Sequence, residues 1–411
     1  MLRYRLVLAL LSPVIWTYLW MRGRNEPAYR QRWRERLGFV SVTPGAELWI
    51  HGASLGELVA AKPLIDHYLA GGQSLLITAF TPAGSEFVSR TYGDKVAHCY
   101  LPLDWPGAVS RFLNTAKPQR LVVLETELWP NLLNACNQRK IDVRYASARL
   151  TEGSVSGYQR FLSVKALQKV LAPIAAIAVQ TDADKERFVA LGANPNSVVV
   201  AGNIKFDLSL PEGFESKLAA VKETVVGRTV LLAASTHAGE EQASLEIYQA
   251  LKPAMPLLLL VIAPRHKNRF DEVANDLAAQ TKLARRSLGE NVSPETDVYL
   301  ADTLGELVQF YAVADVAFVA GSLANIGGHN VLEPALVNTA VVVGPHLHEQ
   351  PVAQELVTQG AVLQGQDQEQ LQQHCQTLLE NEAARVALAE KASAFLEANR
   401  GALARTIALL N

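Results

Sequence analysis

The chain has 411 residues, which suggests about two domains rather than a single core. Its 38 Lys and Arg nearly balance its 40 Asp and Glu, which argues against a globally basic nucleic-acid-binding protein. The three cysteines, Cys99, Cys136 and Cys375, lack Cys-x-x-Cys spacing, so neither a disulfide framework nor a zinc cluster is indicated, and a reducing compartment fits.

The first feature along the chain is an uncharged apolar run at residues 6–21. As a helix it would reach about 24 Å, short of a hydrocarbon core of about 30 Å. Six arginines follow between residues 22 and 36 without a small-residue cleavage site, so we predict that residues 1–36 are a retained membrane anchor and basic segment. The larger charge cluster follows the run, which places the globular part in the cytoplasm, at the inner membrane. A buried core helix is the alternative, and both a bilayer-spanning and a one-leaflet helix are open.

Residues 37–207 alternate apolar strand patterns with helical patterns. Strands that are apolar on both faces, with helices between them, predict a parallel sheet covered on both sides, which is a doubly wound α/β domain. The predicted strands of this N-terminal domain are residues 48–51, 74–79, 120–124, 143–145 and 175–179, and predicted helices lie around 57–69, 106–115 and 130–139.

The turn-rich stretch 208–213 begins a second α/β domain, predicted over residues 208–390. Its predicted strands are residues 229–234, 257–263, 298–300, 315–320 and 340–343. Residues 391–411 are predicted as a C-terminal helix that can pack back on the first domain. Two doubly wound domains that face each other would place the carboxyl ends of both sheets around one cleft, where open α/β folds bind ligands.

The glycine-rich stretch 321–334 carries the clearest binding signal. It follows the predicted strand 315–320 and precedes a helical pattern, so its glycines and the helix start would present backbone N–H groups to a phosphate. The spacing matches neither a Walker loop nor a dinucleotide fingerprint. Asn330 and Glu333 can bond a sugar or a base. Polar groups after the first two strands of the same domain could complete the pocket; they are Ser235, Thr236 and Arg265. Helix capping or a surface charge would explain each of them taken alone.

Glu57 begins a helix after the first strand and has two open interpretations. In the first, Ser54 and Glu57 form a capping box that satisfies backbone N–H groups. In the second, Glu57 is a general base at the mouth of the cleft, kept ionised by the helix N-terminus, and takes a proton from an attacking hydroxyl.

Other charged residues lie near the same predicted edge. Glu125 and Glu127 follow a strand and would bring a second carboxylate there, with helix initiation at Pro130 as the alternative. Lys205 lies where the chain crosses to the second domain and could neutralise a departing phosphate, although most lysines are simply solvated.

Metal binding is poorly supported by the sequence. Asp182 and Asp184 have the spacing of metal-dependent sugar transferases, but they fall at a predicted helix start, where acidic residues are ordinary. The histidines at 329, 346 and 348 show no ligand spacing with a carboxylate. We expect neither a required metal nor a cofactor.

Seven stretches, in the same order along the chain, resemble the 3-deoxy-D-manno-octulosonic acid (KDO) transferases of lipopolysaccharide synthesis. They are residues 49–57, 125–131, 202–207, 235–241, 263–266, 302–307 and 321–334. The resemblance implies a GT-B fold with an N-terminal membrane anchor. It also implies inverting, metal-independent transfer of KDO from CMP-KDO to a lipid A precursor of the lipid IVA type, with no nucleic-acid partner.

The resemblance also assigns roles to single residues. Glu57 matches the general base of the family, while Glu127 and Lys205 match positions that stabilise the transition state, with Glu125 as the close competitor of Glu127. The stretches matched to CMP contacts contain Pro264, Arg265, Gly305, Glu306, Leu307, Asn330, Val331, Leu332 and Glu333. Residues 347–350 and Val331 depart from the usual family sequence, which puts local loop contacts in question more than the reaction.

Two other functions fit the same pattern. A nucleotide-sugar epimerase of similar fold would need neither a membrane anchor nor a lipid acceptor. A non-catalytic, membrane-tethered module that binds a CMP-sugar would show binding without turnover.

Overall fold

The chain forms two compact units in the computed structural model, which describes residues 1–125 and 127–411. Unit 1 contains residues 1–207 together with residues 399–411. Unit 2 contains residues 208–398.

Unit 1 is built on a parallel sheet. Its strands are β1 (Leu48–Gly52), β2 (Leu75–Ala79), β3 (Ala97–Tyr100), β4 (Arg120–Leu124), β5 (Asp142–Ala148), β6 (Ala176–Val179) and β7 (Val198–Val200). Over the described residues they form a seven-stranded sheet in the order β3-β2-β1-β4-β5-β6-β7. Strands β1 and β2 are buried along their whole length because helices cover both faces, as continuous apolar runs predict. The strand order reverses between β1 and β4, which is the topological switch point where such sheets bind ligands.

Residues 1–207 of unit 1 also form α-helices. They are α1 (Leu2–Asn25), α2 (Trp33–Arg36), α3 (Leu55–Ala60), α4 (Lys62–Ala70), α5 (Pro82–Tyr92), α6 (Pro106–Ala116), α7 (Pro130–Gln138), α8 (Glu152–Phe161), α9 (Val164–Leu171) and α10 (Asp182–Leu191).

Unit 2 repeats the architecture with its own sheet. Its strands are β8 (Thr229–Thr236), β9 (Leu258–Pro264), β10 (Leu283–Arg285), β11 (Val298–Leu300), β12 (Val316–Val319), β13 (Ala340–Val343) and β14 (Leu363–Gln364). Its helices are α11 (Phe214–Thr224), α12 (Glu240–Leu251), α13 (Phe270–Ala278), α14 (Leu307–Val313), α15 (Leu332–Leu336), α16 (Pro351–Thr358), α17 (Gln368–Glu380) and α18 (Glu382–Asn399). The parallel strands follow the order β10-β11-β9-β8-β12-β13-β14, so the switch point lies between β8 and β12. The prediction of two doubly wound α/β domains is confirmed.

The C-terminal helix α19 (Ala402–Leu410) belongs to unit 1 and is held at both ends. The Asp207 carboxylate accepts hydrogen bonds from the backbone N–H groups of Gly401 and Leu403, at 2.7 and 2.6 Å. Arg120 and Arg144 donate to carbonyls of the last turn at 2.6 and 2.7 Å. An anion at the start of the helix and cations at its end both complement the helix dipole, so α19 is firmly fixed to unit 1.

The N-terminal helix α1 is long and apolar enough, by length and composition, to cross a membrane. It also contacts unit 1, because Trp16 stacks on Trp33 with ring centroids 4.6 Å apart and lies 5.5 Å from the Trp105 ring. Several of its exposed apolar side chains recur every three or four residues along one face of the helix: Leu2, Leu6, Leu10, Val14, Tyr18 and Met21. Leu11 and Trp20 are also exposed and lie at the two borders of this face.

Candidate active site

Three glutamates gather at the switch point of the unit 1 sheet. Glu57 follows β1, while Glu125 and Glu127 follow β4. Strands β1 and β4 are hydrogen-bonded parallel neighbours, with His51 in register with Val123. Because their carboxyl ends meet at one edge, the residues that follow them are brought together, as strand-end reasoning predicts.

Glu57 forms the predicted capping box at the start of α3. Its Oε2 accepts the Ala53 N–H at 2.7 Å, and its Oε1 accepts the Ser54 hydroxyl at 2.9 Å. The Ser54 hydroxyl oxygen in turn accepts the Glu57 N–H at 3.3 Å. These bonds leave the general-base interpretation open, since each carboxylate oxygen has a second lone pair for an incoming hydroxyl. Burial raises the pKa of Glu57, although its hydrogen bonds oppose that shift.

Glu127 is the most perturbed carboxyl group at this edge. Burial, followed by the Glu57 carboxylate, raises the pKa of Glu127 to about 7, while the nearby Trp129 indole opposes the shift. The Glu127 carbonyl accepts the Tyr145 hydroxyl at 2.9 Å, which fixes the main chain at this point. Two interacting carboxyl groups titrate as a pair, so at neutral pH they share fewer than two negative charges. That arrangement suits acid–base chemistry.

Lys205 forms an ion pair with Glu125. Lys205 Nζ lies 2.6 Å from Glu125 Oε1, and the Asn203 side chain accepts the Lys205 N–H at 2.9 Å. Glu125 has a φ of 50°, in the left-handed region that glutamate rarely adopts. Its N–H bonds to the Ala146 carbonyl at 3.0 Å, which holds it in that conformation. Backbone strain of this kind concentrates at functional sites.

The glycine loop of unit 2 surrounds an anion that the chain itself supplies. The carboxylate of Glu240 accepts the N–H groups of Gly321, Leu323 and Ala324 at 2.8, 3.1 and 3.1 Å, and that of His237 at 3.0 Å. Glu240 is only 1% exposed. The expectation that the amides of this loop hold a phosphate is therefore wrong for these three groups, because a buried carboxylate already fills the space in front of them.

The predicted substrate-binding residues of unit 2 fall into two groups. Some are engaged internally: the Thr236 hydroxyl donates to Glu241 at 2.8 Å, and Glu306 binds Arg286 at 2.9 Å. Others face outward, as Arg265 does at the end of β9. Ser235 has a φ of 59°, again in the left-handed region, at the switch point of the sheet.

Asn330 organises the start of α15. Its side-chain carbonyl accepts the Leu332 N–H at 3.0 Å, and its amide donates to Glu333 at 3.3 Å. Burial raises the pKa of Glu333, and the Asn330 amide opposes that shift. Helix α15 has only five residues, so its dipole is small and side chains dominate recognition here.

A histidine pair, which was not predicted, lies beside the glycine loop. His237 Nε2 and His329 Nε2 are 2.8 Å apart, and the His266 ring lies 5.3 Å from His237. Burial and the neighbouring Arg265 guanidinium lower the pKa of His329 to about 4. His237 directly follows β8, so strand-end position could have identified it, whereas His329 lies inside the glycine loop between β12 and α15. Across residues 1–125 and 127–411, no group of three or more His, Cys, Asp or Glu side chains is arranged to hold a metal ion.

Replacing Glu127 with glutamine should flatten part of the pH dependence of stability. Between about pH 4.5 and 7 the folded chain keeps a proton on this carboxyl group that the unfolded chain has lost. The contribution of Glu127 to the free energy of unfolding is therefore fully present below that window and is lost as the pH rises through it. Thermal denaturation from pH 4.5 to 8 measures the slope. The Glu127→Gln slope should be shallower, and the exposed control Glu86→Gln should keep the wild-type slope; equal slopes for all three proteins would contradict the expectation.

Relatives of known function cover nearly the whole chain. Residues 31–208 match the sequence model of the family described as 3-Deoxy-D-manno-octulosonic-acid transferase (kdotransferase). The 3-deoxy-D-manno-octulosonic acid transferase of Haemophilus influenzae is 37% identical over 99% of this chain and 97% of its own length. The chain belongs to this family of glycosyltransferases. The Bordetella pertussis transferase of the same name is 36% identical over 98% of this chain and 97% of its own length.

A solved structure of similar fold comes from a different class of enzyme. The UDP-GlcNAc 2-epimerase from Neisseria meningitidis, bound to UDP-GlcNAc, superposes with a TM-score of 0.56 and covers 88% of this chain and 98% of its own. It is 16% identical, so the likeness concerns the GT-B-type fold alone. Membership of the transferase family therefore favours sugar transfer over the epimerase alternative.

Proposed function

We propose that this protein transfers KDO from CMP-KDO to a hydroxyl of a lipid A precursor, with inversion at the anomeric carbon. The observation that carries this is the position of Glu57 and Glu127 after the neighbouring strands β1 and β4, at the switch point of unit 1, in a chain of the KDO transferase family. A single displacement needs one base for the incoming hydroxyl and stabilisation of the departing charge.

The step proceeds as one exchange of bonds. A lone pair of the acceptor hydroxyl forms the new bond to the anomeric carbon, and the bond from that carbon to the phosphate oxygen of CMP breaks. Glu57 takes the hydroxyl proton, and CMP leaves with the bonding electron pair. Glu127, whose pKa is raised to about 7, is protonated in a large fraction of the molecules at neutral pH, and in that form it acts as a neutral hydrogen-bond donor beside the ionised base.

Lys205 supplies positive charge without a metal ion. Its ion pair with Glu125, at 2.6 Å, holds the ammonium in one place while no substrate is bound. Negative charge that develops on the departing group would compete with Glu125 for this ammonium, so Lys205 interacts more strongly with the transition state than with the ground state. In unit 2, Arg265 and the histidine pair contribute donors for the anionic groups of CMP-KDO.

Helix α1 and the arginines after it support membrane attachment. Leu10 on the free face of α1 is 78% exposed and Val14 is 61% exposed, which suits acyl chains. The opposite side of the helix contacts unit 1 through Trp16 and Trp33. A helix that contacts a folded unit through Tyr4, Arg5 and Trp16 fits one leaflet better than a full span. The exposed arginines at residues 22–34 would meet anionic headgroups at the cytoplasmic face of the inner membrane, whereas Arg36 is buried and donates to the Phe80 carbonyl.

One incubation tests the proposal. The purified full-length chain is mixed with CMP-KDO and vesicles that carry a tetraacylated lipid A precursor. We expect the protein to sediment with the vesicles and the lipid to gain the mass of one or more KDO residues, with CMP released in equal amount. Binding of CMP-KDO without a mass gain would favour the non-catalytic module, and turnover of a UDP-sugar in its place would favour an epimerase.

A further inference from the structure

The start of α1 is hydrogen-bonded to the start of α7, the helix that follows Glu125 and Glu127 in the chain. The Tyr4 hydroxyl donates to Asp104 Oδ2 at 2.9 Å, and Arg5 Nε donates to the Asn131 side-chain carbonyl at 2.9 Å. The Asp104 carboxylate also accepts the backbone N–H groups of Asn131 and Leu132, at 2.9 and 2.8 Å. Asp104 is 2% exposed and lies just before α6.

Helix α7 depends on this distant carboxylate because it has no local side-chain cap. Its N-cap residue is Trp129, whose side chain accepts no capping hydrogen bond, and Pro130 follows at the first position. The first turn of a helix has unsatisfied N–H groups and the positive end of the dipole, so a carboxylate is a strong partner for it. Burial raises the pKa of Asp104 to about 6, while its hydrogen bonds from Asn131 and Tyr4 favour the ionised form.

Glu127 lies in the short segment between β4 and α7. One end of that segment is fixed by the sheet and by the bond from Tyr145 to the Glu127 carbonyl. The other end is fixed by the hydrogen bonds that the Asp104 carboxylate accepts from the first turn of α7. A shift of that turn would therefore move Glu127 relative to Glu57, and displacements of about 1 Å can cost roughly 100-fold in rate.

We propose that Asp104 is a positioning residue that couples the docking of α1 to the placement of Glu127. The inference rests on the proposed function, because it takes Glu127 as a group that acts in the transfer. With α1 docked, the Tyr4 hydroxyl donates to the Asp104 carboxylate and the Arg5 guanidinium donates to the Asn131 side chain. If α1 leaves, the buried Asp104 carboxylate loses the Tyr4 donor and the Asn131 side-chain carbonyl loses the Arg5 donor. The Asn131 amide keeps its bond to the Asp104 carbonyl at 2.6 Å, so the first turn of α7 stays attached but is held by fewer contacts. The anchor helix is thus also part of the catalytic unit.

The test removes the Tyr4 hydroxyl and the Arg5 guanidinium from α1 and compares the result with removal of a hydroxyl elsewhere on the same helix. The double variant Tyr4→Phe with Arg5→Gln removes both contacts and keeps the apolar character of the helix. Tyr18→Phe is the matched control, since Tyr18 lies on the exposed face of the same helix. Transfer is measured in detergent with dispersed acceptor, so that membrane attachment does not limit the rate. We expect the double variant to lose about tenfold in kcat with an unchanged KM for CMP-KDO, and the control to match the wild type.

Hydrogen exchange of the amides in residues 127–133 gives a readout that is independent of turnover. We expect faster exchange there in the double variant and wild-type exchange in Tyr18→Phe. Unchanged exchange in the double variant would overturn the coupling whatever its kcat, and faster exchange with unchanged kcat would overturn the catalytic consequence. If the wild-type protein transfers no sugar, the proposed function fails, and the exchange measurement alone decides whether the helices are coupled.

Discussion

Glu57→Gln is expected to lower the transfer rate by roughly 1,000-fold, because general bases typically contribute about 10² to 10⁴. Glutamine has nearly the same shape as glutamate and keeps a carbonyl oxygen that can accept the Ala53 N–H, which Glu57 accepts at 2.7 Å. It cannot take a proton from the acceptor hydroxyl. We therefore expect steady-state transfer to the lipid A precursor to be lost in this variant, while the affinity for CMP measured by calorimetry stays unchanged.

Ser54→Ala is the control that separates the base from the cap. It removes the hydroxyl that bonds Glu57 Oε1 at 2.9 Å and accepts the Glu57 N–H, but it leaves the carboxylate in place. Loss of a helix cap costs about 1 kcal/mol of stability, so the variant should melt a few degrees lower and keep most of its activity. Turnover of Glu57→Gln within tenfold of the wild type would refute the base assignment and leave Glu57 as a cap.

The fold was predictable where strands are buried on both faces. All ten predicted strands occur, and the four that the sequence analysis missed are β3, β7, β10 and β14, which form the two edges of each sheet in the described residues. An edge strand has a neighbour on one side only and can be short and more polar. Strand β3 contains His98, and β14 has two residues, both half-buried. Periodicity cannot distinguish such segments from loops.

The sequence predicted at which edge of the sheet the candidate site lies, but it did not predict the contacts between the side chains there. Strand-end reasoning brought Glu57, Glu125 and Glu127 to one edge because parallel strands end together. The partner of Lys205 depends on the left-handed backbone of Glu125, which no local pattern encodes. The hold of Asp104 on α7 joins segments far apart in sequence, and only the folded structure reveals it.

The second large effect is expected at Glu240 in unit 2. Glu240→Gln replaces a carboxylate that accepts four backbone N–H groups with an amide whose NH2 group faces two of those donors. Buried donors left without acceptors cost about 1–3 kcal/mol each, so we expect unit 2 to lose about 3 kcal/mol or more. The loop that carries His329 would lose its fixed shape, and CMP affinity should fall roughly 100-fold, because that loop is no longer pre-organised for binding.

Two further variants make the Glu240 result specific. Glu246→Gln removes an exposed carboxylate from the same helix, α12, and should change stability by no more than about 0.5 kcal/mol. Glu240→Asp keeps the charge but retracts it from the loop, so it should fall between the wild type and Glu240→Gln in both CMP affinity and melting temperature. Wild-type CMP affinity in Glu240→Gln would mean that the glycine loop keeps its shape without the internal anion.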